Sequence, residues 1–273
     1  MTKGLFQWSG NKNEPMGHHV PISGARRFII DLIHFAHQVP SVPVSRVIDV
    51  SPLREPRAAH PLRPSWSVVF MKAYGIVAKA HPPLRRALLT FPWPRLYEHP
   101  QTSCALALER EYEDEEGIFV GLFRAPEAQT LGQLQDGLNF YKTQPLHKVG
   151  FFRQALRVSR VPTPIRHFLW WSTLHVSGWK RAKRFGTFGL SSYGALGAES
   201  LHPISPLTTT LTYGPISPAG QVTVKLIYDH RVLDGAYIAR RLRDIELALL
   251  GPILDELRQA DAKLPSQWLP PAA

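Results

Sequence analysis

The sequence predicts an α/β fold, and two adjacent stretches near the carboxyl end carry that prediction. Gln221-Val-Thr-Val-Lys-Leu-Ile-Tyr228 alternates, with Val222, Val224, Leu226 and Tyr228 on one face, the two-residue period of a half-buried strand. Directly after it, Ile238, Leu242, Ile245 and Leu249 recur at steps of four, three and four, which lines one side of a helix, and Gly251-Pro252 is expected to stop that helix. A chain of 273 residues is long enough to bury a full core as one large domain.

The remaining elements follow in order. Residues 1–21 are polar, with glycine, asparagine and a His18-His19 pair, and read as a flexible arm; they lack the apolar run of a signal peptide, and the two histidines read as solvated rather than metal-binding. Cys104 lies in Cys104-Ala-Leu-Ala-Leu108 and is expected to be a buried small hydrophobe. As the single cysteine it excludes an internal disulfide and a cysteine-rich zinc site, and no metal is implied. Glu109-Arg-Glu-Tyr-Glu-Asp-Glu-Glu116 reads as the solvated tip between two strands. A helix is expected over residues 131–141, a threonine-rich strand over Thr208-Thr-Thr-Leu-Thr-Tyr213, and an extended tail over residues 265–273. No stretch approaches the ~20 apolar residues that cross a bilayer, so a cytoplasmic location is the default.

The chemistry concentrates in His230-Arg231-Val232-Leu233-Asp234-Gly235, which sets an imidazole and a carboxylate one helical turn apart at the end of the predicted strand. A neutral histidine, with an ordinary pKa near ~6.5, accepts a proton from a hydroxyl, thiol or amine at working pH. The alternative is a satisfied structural histidine followed by an aspartate that caps the next helix.

Tyr228-Asp-His-Arg-Val-Leu-Asp-Gly235 resembles the D-H-R-x-x-D-G signature of the acyltransferase core of 2-oxoacid dehydrogenase complexes, the family that shares its fold with chloramphenicol acetyltransferase. Other segments agree in order. Phe188-Gly-Leu-Ser-Ser-Tyr-Gly194 with Leu201-His-Pro203 resembles the family's F-T-I-S-S-L-G and F-x-P. Ile22-Ser-Gly-Ala-Arg26-Arg27 is similar to the start of the core, and Val47-Ile-Asp-Val-Ser-Pro-Leu53 to its first long strand. Phe70-Met-Lys-Ala-Tyr-Gly-Ile-Val-Ala-Lys79 and Gly117-Ile-Phe-Val-Gly-Leu-Phe123 take the places of its early core helix and of its G-L-x-x-P-V strand.

The resemblance implies a mixed sheet with flanking helices, a catalytic domain over residues 22–255, a tail over 256–273, and an active site between subunits of a homotrimer or a larger assembly. It implies that His230 is the general base and that Ser191 steadies the oxyanion, although a turn serine bonding its own backbone is the ordinary alternative. Asp234 would be structural, paired with Arg26 or, second, Arg27. The co-substrate would be a thioester, acyl-CoA or an acyl carrier protein, with no bound cofactor and no covalent enzyme intermediate.

Three departures bear on the substrate. The 21 leading residues are expected to hold no lipoyl or subunit-binding domain, so a core acting on lipoamide supplied in trans is an alternative, as is a non-catalytic trimeric scaffold. Ile204-Ser-Pro-Leu207 and the threonine-rich strand alter a region that lines the family's substrate channel, which points to an alcohol or amine acceptor. Finally, an insertion over about residues 146–184 carries Arg153, Arg157, Arg160, Arg166, Lys180, Arg181, Lys183 and Arg184 without an acid from Phe151 onward, and so holds most of the net charge of +11. These cations are interleaved with Phe151, Phe152, Phe168, Trp170, Trp171 and Trp179, and Pro162 and Pro164 are expected to break the segment into two helical pieces. Three readings stand: peripheral contact with an anionic membrane through 151–184, docking of an acidic carrier protein or coenzyme A phosphates, or a lid that buries its aromatics and shows its arginines to water. Nucleic acid is not expected.

Overall fold

The computed structural model describes residues 17–113 and 115–262. The expected tail over 265–273, and most of the expected amino-terminal arm, lie outside the described residues. Helix α1 (Gly24–Ala36) begins where the Ser23 hydroxyl accepts the Arg26 backbone N–H, and β1 (Ser41–Asp49), α2 (Ser51–Ala59) and α3 (Trp66–Ala80) follow. A small hairpin, β2 (Arg86–Leu89) and β3 (Arg95–Glu98), precedes β4 (Ser103–Tyr112) and β5 (Glu115–Arg124), whose adjoining ends take in most of the acidic run expected between strands. Then come α4 (Leu131–Thr143), α5 (Gly150–Ser159), α6 (Thr163–His175), α7 (Gly178–Phe185), β6 (Phe188–Leu190), β7 (Thr209–Tyr213), β8 (Gln221–Asp229), α8 (Gly235–Ala248) and α9 (Leu254–Ala262).

Six strands form one mixed sheet in the order β1-β8-β7-β6-β4-β5, with β6 parallel to both of its neighbours and every other pairing antiparallel. Val222, Val224, Leu226 and Tyr228 of β8 are buried in the core that also holds α3 and α8, but the strand is not half-buried as expected, since Lys225, Ile227 and Asp229 on its other face are buried too. Helix α3 is buried on nearly all sides because it packs against both α4 and α8. Of its two lysines the buried Lys72 is paired with Glu256 of α9, and Glu256 also accepts the Leu131 N–H that opens α4.

Three sequence expectations change here. Gly251-Pro252 does stop the helix that carries Ile238 to Leu249, since Gly251 takes non-helical angles (φ −105°, ψ −105°), but the chain kinks there into a further helix, α9, instead of a tail, because Ile253 and Leu257 continue the buried stripe. The packed fold continues past residue 255, where a tail was expected, since Leu257 is fully buried and Glu256 is bonded into the core. The insertion forms three helices rather than two, because Ser177 caps a separate α7 after α6 ends. Gly178 begins that helix so close to Tyr97 that any side chain would overlap the ring. Among the described residues no helix is long and apolar enough to cross a membrane.

Candidate active site

His230 follows the last residue of β8, on a turn held from three directions. The Asp229 N–H donates to the Thr208 carbonyl (2.9 Å), and the His230 N–H donates to the Pro40 carbonyl (3.1 Å), which ties the turn to the start of β1. The Asp229 carbonyl accepts the N–H groups of Val232 (3.0 Å) and Leu233 (3.1 Å) and so starts the path into α8. The Asp229 carboxylate is buried and accepts three bonds from Arg231: from its backbone N–H (3.0 Å), Nε (2.9 Å) and Nη2 (2.8 Å). This fork closes the turn around His230 and leaves the imidazole half exposed at 51%.

Asp234 meets neither structural expectation within one chain. It occupies the N-cap position of α8, but its side chain makes no capping bond. Its carboxylate is 86% exposed and lies 3.8 Å from His230 Nδ1, too far for a hydrogen bond. Arg26 and Arg27 are exposed on α1, which packs beside β5 at the far edge of the sheet; β5 and β8 are four strand steps apart, about 19 Å. An Arg26–Asp234 pair is out of reach inside one chain and requires a second copy.

Ser191 sits just beyond β6, its N–H donating to the Leu211 carbonyl (3.2 Å). The turn-serine alternative falls to its neighbour: Ser192 Oγ donates to the Tyr213 carbonyl (2.8 Å) and accepts the Gly194 N–H (3.1 Å). Gly194 has room only for hydrogen there, since a Cβ would lie 2.6 Å from the Gly214 carbonyl oxygen. Among the described residues the Ser191 hydroxyl has no partner. One step beyond the Leu190–Leu211 pair, Ser191 shares a sheet face with Thr212, whose buried hydroxyl is also without a partner. Two other threonines of this strand region are engaged: Thr209 bonds Tyr74 (2.6 Å), and Thr208 donates to the Arg86 carbonyl (2.6 Å).

His230 and Ser191 do not meet within one chain. Thr212 pairs with Lys225 of β8, so Ser191 lies level with Lys225, five residue steps from His230 and about 16 Å along the strands. The two groups stand at opposite ends of the central strands.

Arg181 of α7 reaches the His230 end from the insertion. Its guanidinium is buried and donates to the carbonyls of Leu88 (3.0 Å), Leu174 (3.2 Å) and Pro206 (2.7 Å). Burial pulls it down to about 10, the nearby Asp229 carboxylate opposes that shift, and Arg231 adds to it. His175 of α6, bonded to Thr90 (2.9 Å), is likewise held below the usual imidazole range by burial and by the charges of Arg181 and Arg231. The expectation that the insertion shows its arginines to water therefore fails for Arg181. It fails for Arg166 too, whose Nε donates to the buried Asp31 of α1 and whose Nη1 donates to the Val161 carbonyl (3.0 Å). Trp170 is buried against Phe28, Phe35 and Phe185, whereas Phe168 and Trp179 face outward.

No protein-family model matches the sequence, and no curated protein matches it. Solved structures do. A dihydrolipoamide acetyltransferase of Azotobacter vinelandii, studied for the role of a serine, a histidine and an asparagine in its catalytic mechanism, superposes with a TM-score of 0.63 at 18% identity, covering 89% of this chain and 94% of that one. A probable dihydrolipoamide acetyltransferase from Listeria monocytogenes gives 0.62 at 16% identity, over 86% and 94% of the two chains. The truncated catalytic core of the Thermoplasma acidophilum 2-oxoacid dehydrogenase complex gives 0.62 at 16%, over 86% and 99%. The fold is that of an acyltransferase catalytic core. The mixed sheet and flanking helices expected from the sequence are those of this acyltransferase-core fold.

Within that fold, sequence reasoning missed two groups. Arg231 was visible as part of the motif, but its grip on Asp229 needs the turn to be seen. Arg181 looked like one more surface cation because its partners are carbonyls far away in sequence.

Proposed function

We propose that this chain transfers an acyl group from a thioester, acyl-CoA or an acyl carrier protein, to a hydroxyl, amine or thiol acceptor. The observation that carries it is His230 itself, a half-exposed imidazole on a braced turn of an acyltransferase-core fold. His230 takes the acceptor's proton as the acceptor attacks the thioester carbonyl. The tetrahedral oxyanion accepts a hydrogen bond from Ser191, whose hydroxyl is otherwise unused. Collapse breaks the C–S bond, and the departing thiolate recovers the proton from the imidazolium, so no covalent enzyme intermediate is needed.

Since the two groups are about 16 Å apart in one chain, the site is completed by a second copy whose Ser191 approaches this His230. A homotrimer is the assembly expected, and a cross-copy Asp234–Arg26 pair would anchor it. One of the similar structures is the cubic core of a pyruvate dehydrogenase complex, which favours a second reading, a lipoyl thiol on another polypeptide as the acceptor.

The test is thiol release from acyl-CoA thioesters of increasing chain length, with His230→Ala as the control. Release that depends on His230 supports the reading; equal release by the variant ends it. Mixing His230→Ala with Ser191→Ala chains, dissociated and reassembled, should restore activity if the site is shared. Failure to restore any places the two residues in separate roles.

A further inference from the structure

A groove of about 750 Å³ opens between α4, α5, α7 and the outer edge of β5, away from His230. Its cations are Arg124, Lys180, Lys183 and Arg184, and no carboxylate lines it. None of the four forms an ion pair among the described residues, so their charge is uncompensated there. Lys183 is held over the face of the exposed Trp179, 4.7 Å from the ring centre. Arg184 spends one N–H on Thr173 (2.9 Å).

The groove does not end at its charged floor. Phe151, Gln154 and Arg184 also border a second space of about 150 Å³, an apolar slot walled by Phe28, Val158, Leu169, Trp170 and Phe185. Its ring walls are packed on each other, Trp170 against Phe185 at 4.7 Å and against Phe28 at 5.4 Å between centres. An anion-attracting groove thus adjoins an apolar pocket across Phe151, Gln154 and Arg184, both built on the inserted helices.

We propose that this composite site binds a single-chain anionic amphiphile, with the charged head held by Lys180, Lys183, Arg184 and Arg124 and the alkyl tail in the slot. Charge complementarity selects the head. The slot is one ring-walled space, which fits one tail rather than the two of a bilayer lipid. The inference is independent of the acyl-transfer reading and is tested on protein that lacks the candidate base.

Calorimetric titration of His230→Ala protein with octyl and decyl phosphate, below their micelle concentrations, reads the site. Expected are one ligand per chain and roughly tenfold tighter binding for two added methylenes. Lys180→Gln with Lys183→Gln, both at the exposed rim, should weaken decyl phosphate at least tenfold with an unchanged circular dichroism spectrum, and Leu169→Gln should shrink the gain from chain length. Inorganic phosphate and decanol probe head and tail alone, and phosphatidylglycerol vesicles probe a membrane surface. The proposal is overturned by an absence of saturable binding, by either half binding as tightly as decyl phosphate, by lysine variants that bind normally, or by binding to vesicles and not to the monomeric ligand.

Discussion

The turn at His230 and the inserted helices α5–α7 both depend on arginine, yet they use it differently. At the turn, Arg231 stays partly exposed and folds back two residues to grip Asp229, a local brace written into one short motif. In the insertion, Arg166 and Arg181 are sunk against partners far away in sequence, Asp31, Leu88 and Pro206, while Lys180, Lys183 and Arg184 remain open around a groove. A run of positive charge therefore contains two populations, and what waits behind each side chain decides which it joins. A carboxylate or a set of free carbonyls turns a cation into an internal strut; without them it stays available to a ligand.

The contrast can be broken experimentally, and the largest effect is expected at the turn. His230→Ala should lower acyl transfer by about 10²- to 10⁴-fold while urea unfolding stays unchanged. Ser191→Ala should cost about 10²- to 10³-fold in turnover, again without loss of stability. In the insertion the readouts reverse: Arg166→Ala leaves Asp31 buried without its main cation and should destabilise the chain by about 3–5 kcal/mol, seen as a lower urea midpoint. Arg231→Gln lies between the two, costing about 1–3 kcal/mol and lowering turnover as the His230 turn loosens.

The smallest effect is a pH dependence. His175 is held below the usual imidazole range chiefly by burial, then by Arg181 and Arg231, so the folded chain resists protonation that the unfolded chain accepts. That contribution is absent above pH ~6.5 and becomes destabilising as the pH falls below it. His175→Gln should flatten this acid-side loss, and an unchanged slope in the variant would assign it to other groups.

Much of the architecture was legible in the sequence because β8 and α8 carry clean periodicities and because the motif at their junction is short and local. Cys104 in a buried strand follows the same logic, local pattern giving local structure, whereas most of the acidic run over residues 109–116 lies in the paired ends of β4 and β5 rather than between them. The separation of Ser191 from His230 was not legible in either motif, since it follows from strand order and register; only the resemblance, with its active site between subunits, implied it. Nor were the inward arginines, whose partners lie on other elements, or α9, which follows the stop at Gly251 because Ile253 and Leu257 continue the burial. Asp234 shows the limit most clearly: its motif position implies a structural role, but within one chain it is exposed and unpaired except for its distant approach to His230.

The opposed placement of Ser191 and His230 has a consequence for how much protein a cell must hold. Under the proposed shared site a lone chain carries two half-sites facing away from each other, so dilution below the assembly threshold silences molecules that are fully folded. Specific activity would then climb steeply with copy number instead of staying constant. A single defective chain entering an assembly would disable two sites when it lacks both groups, which makes such a variant dominant over the normal one.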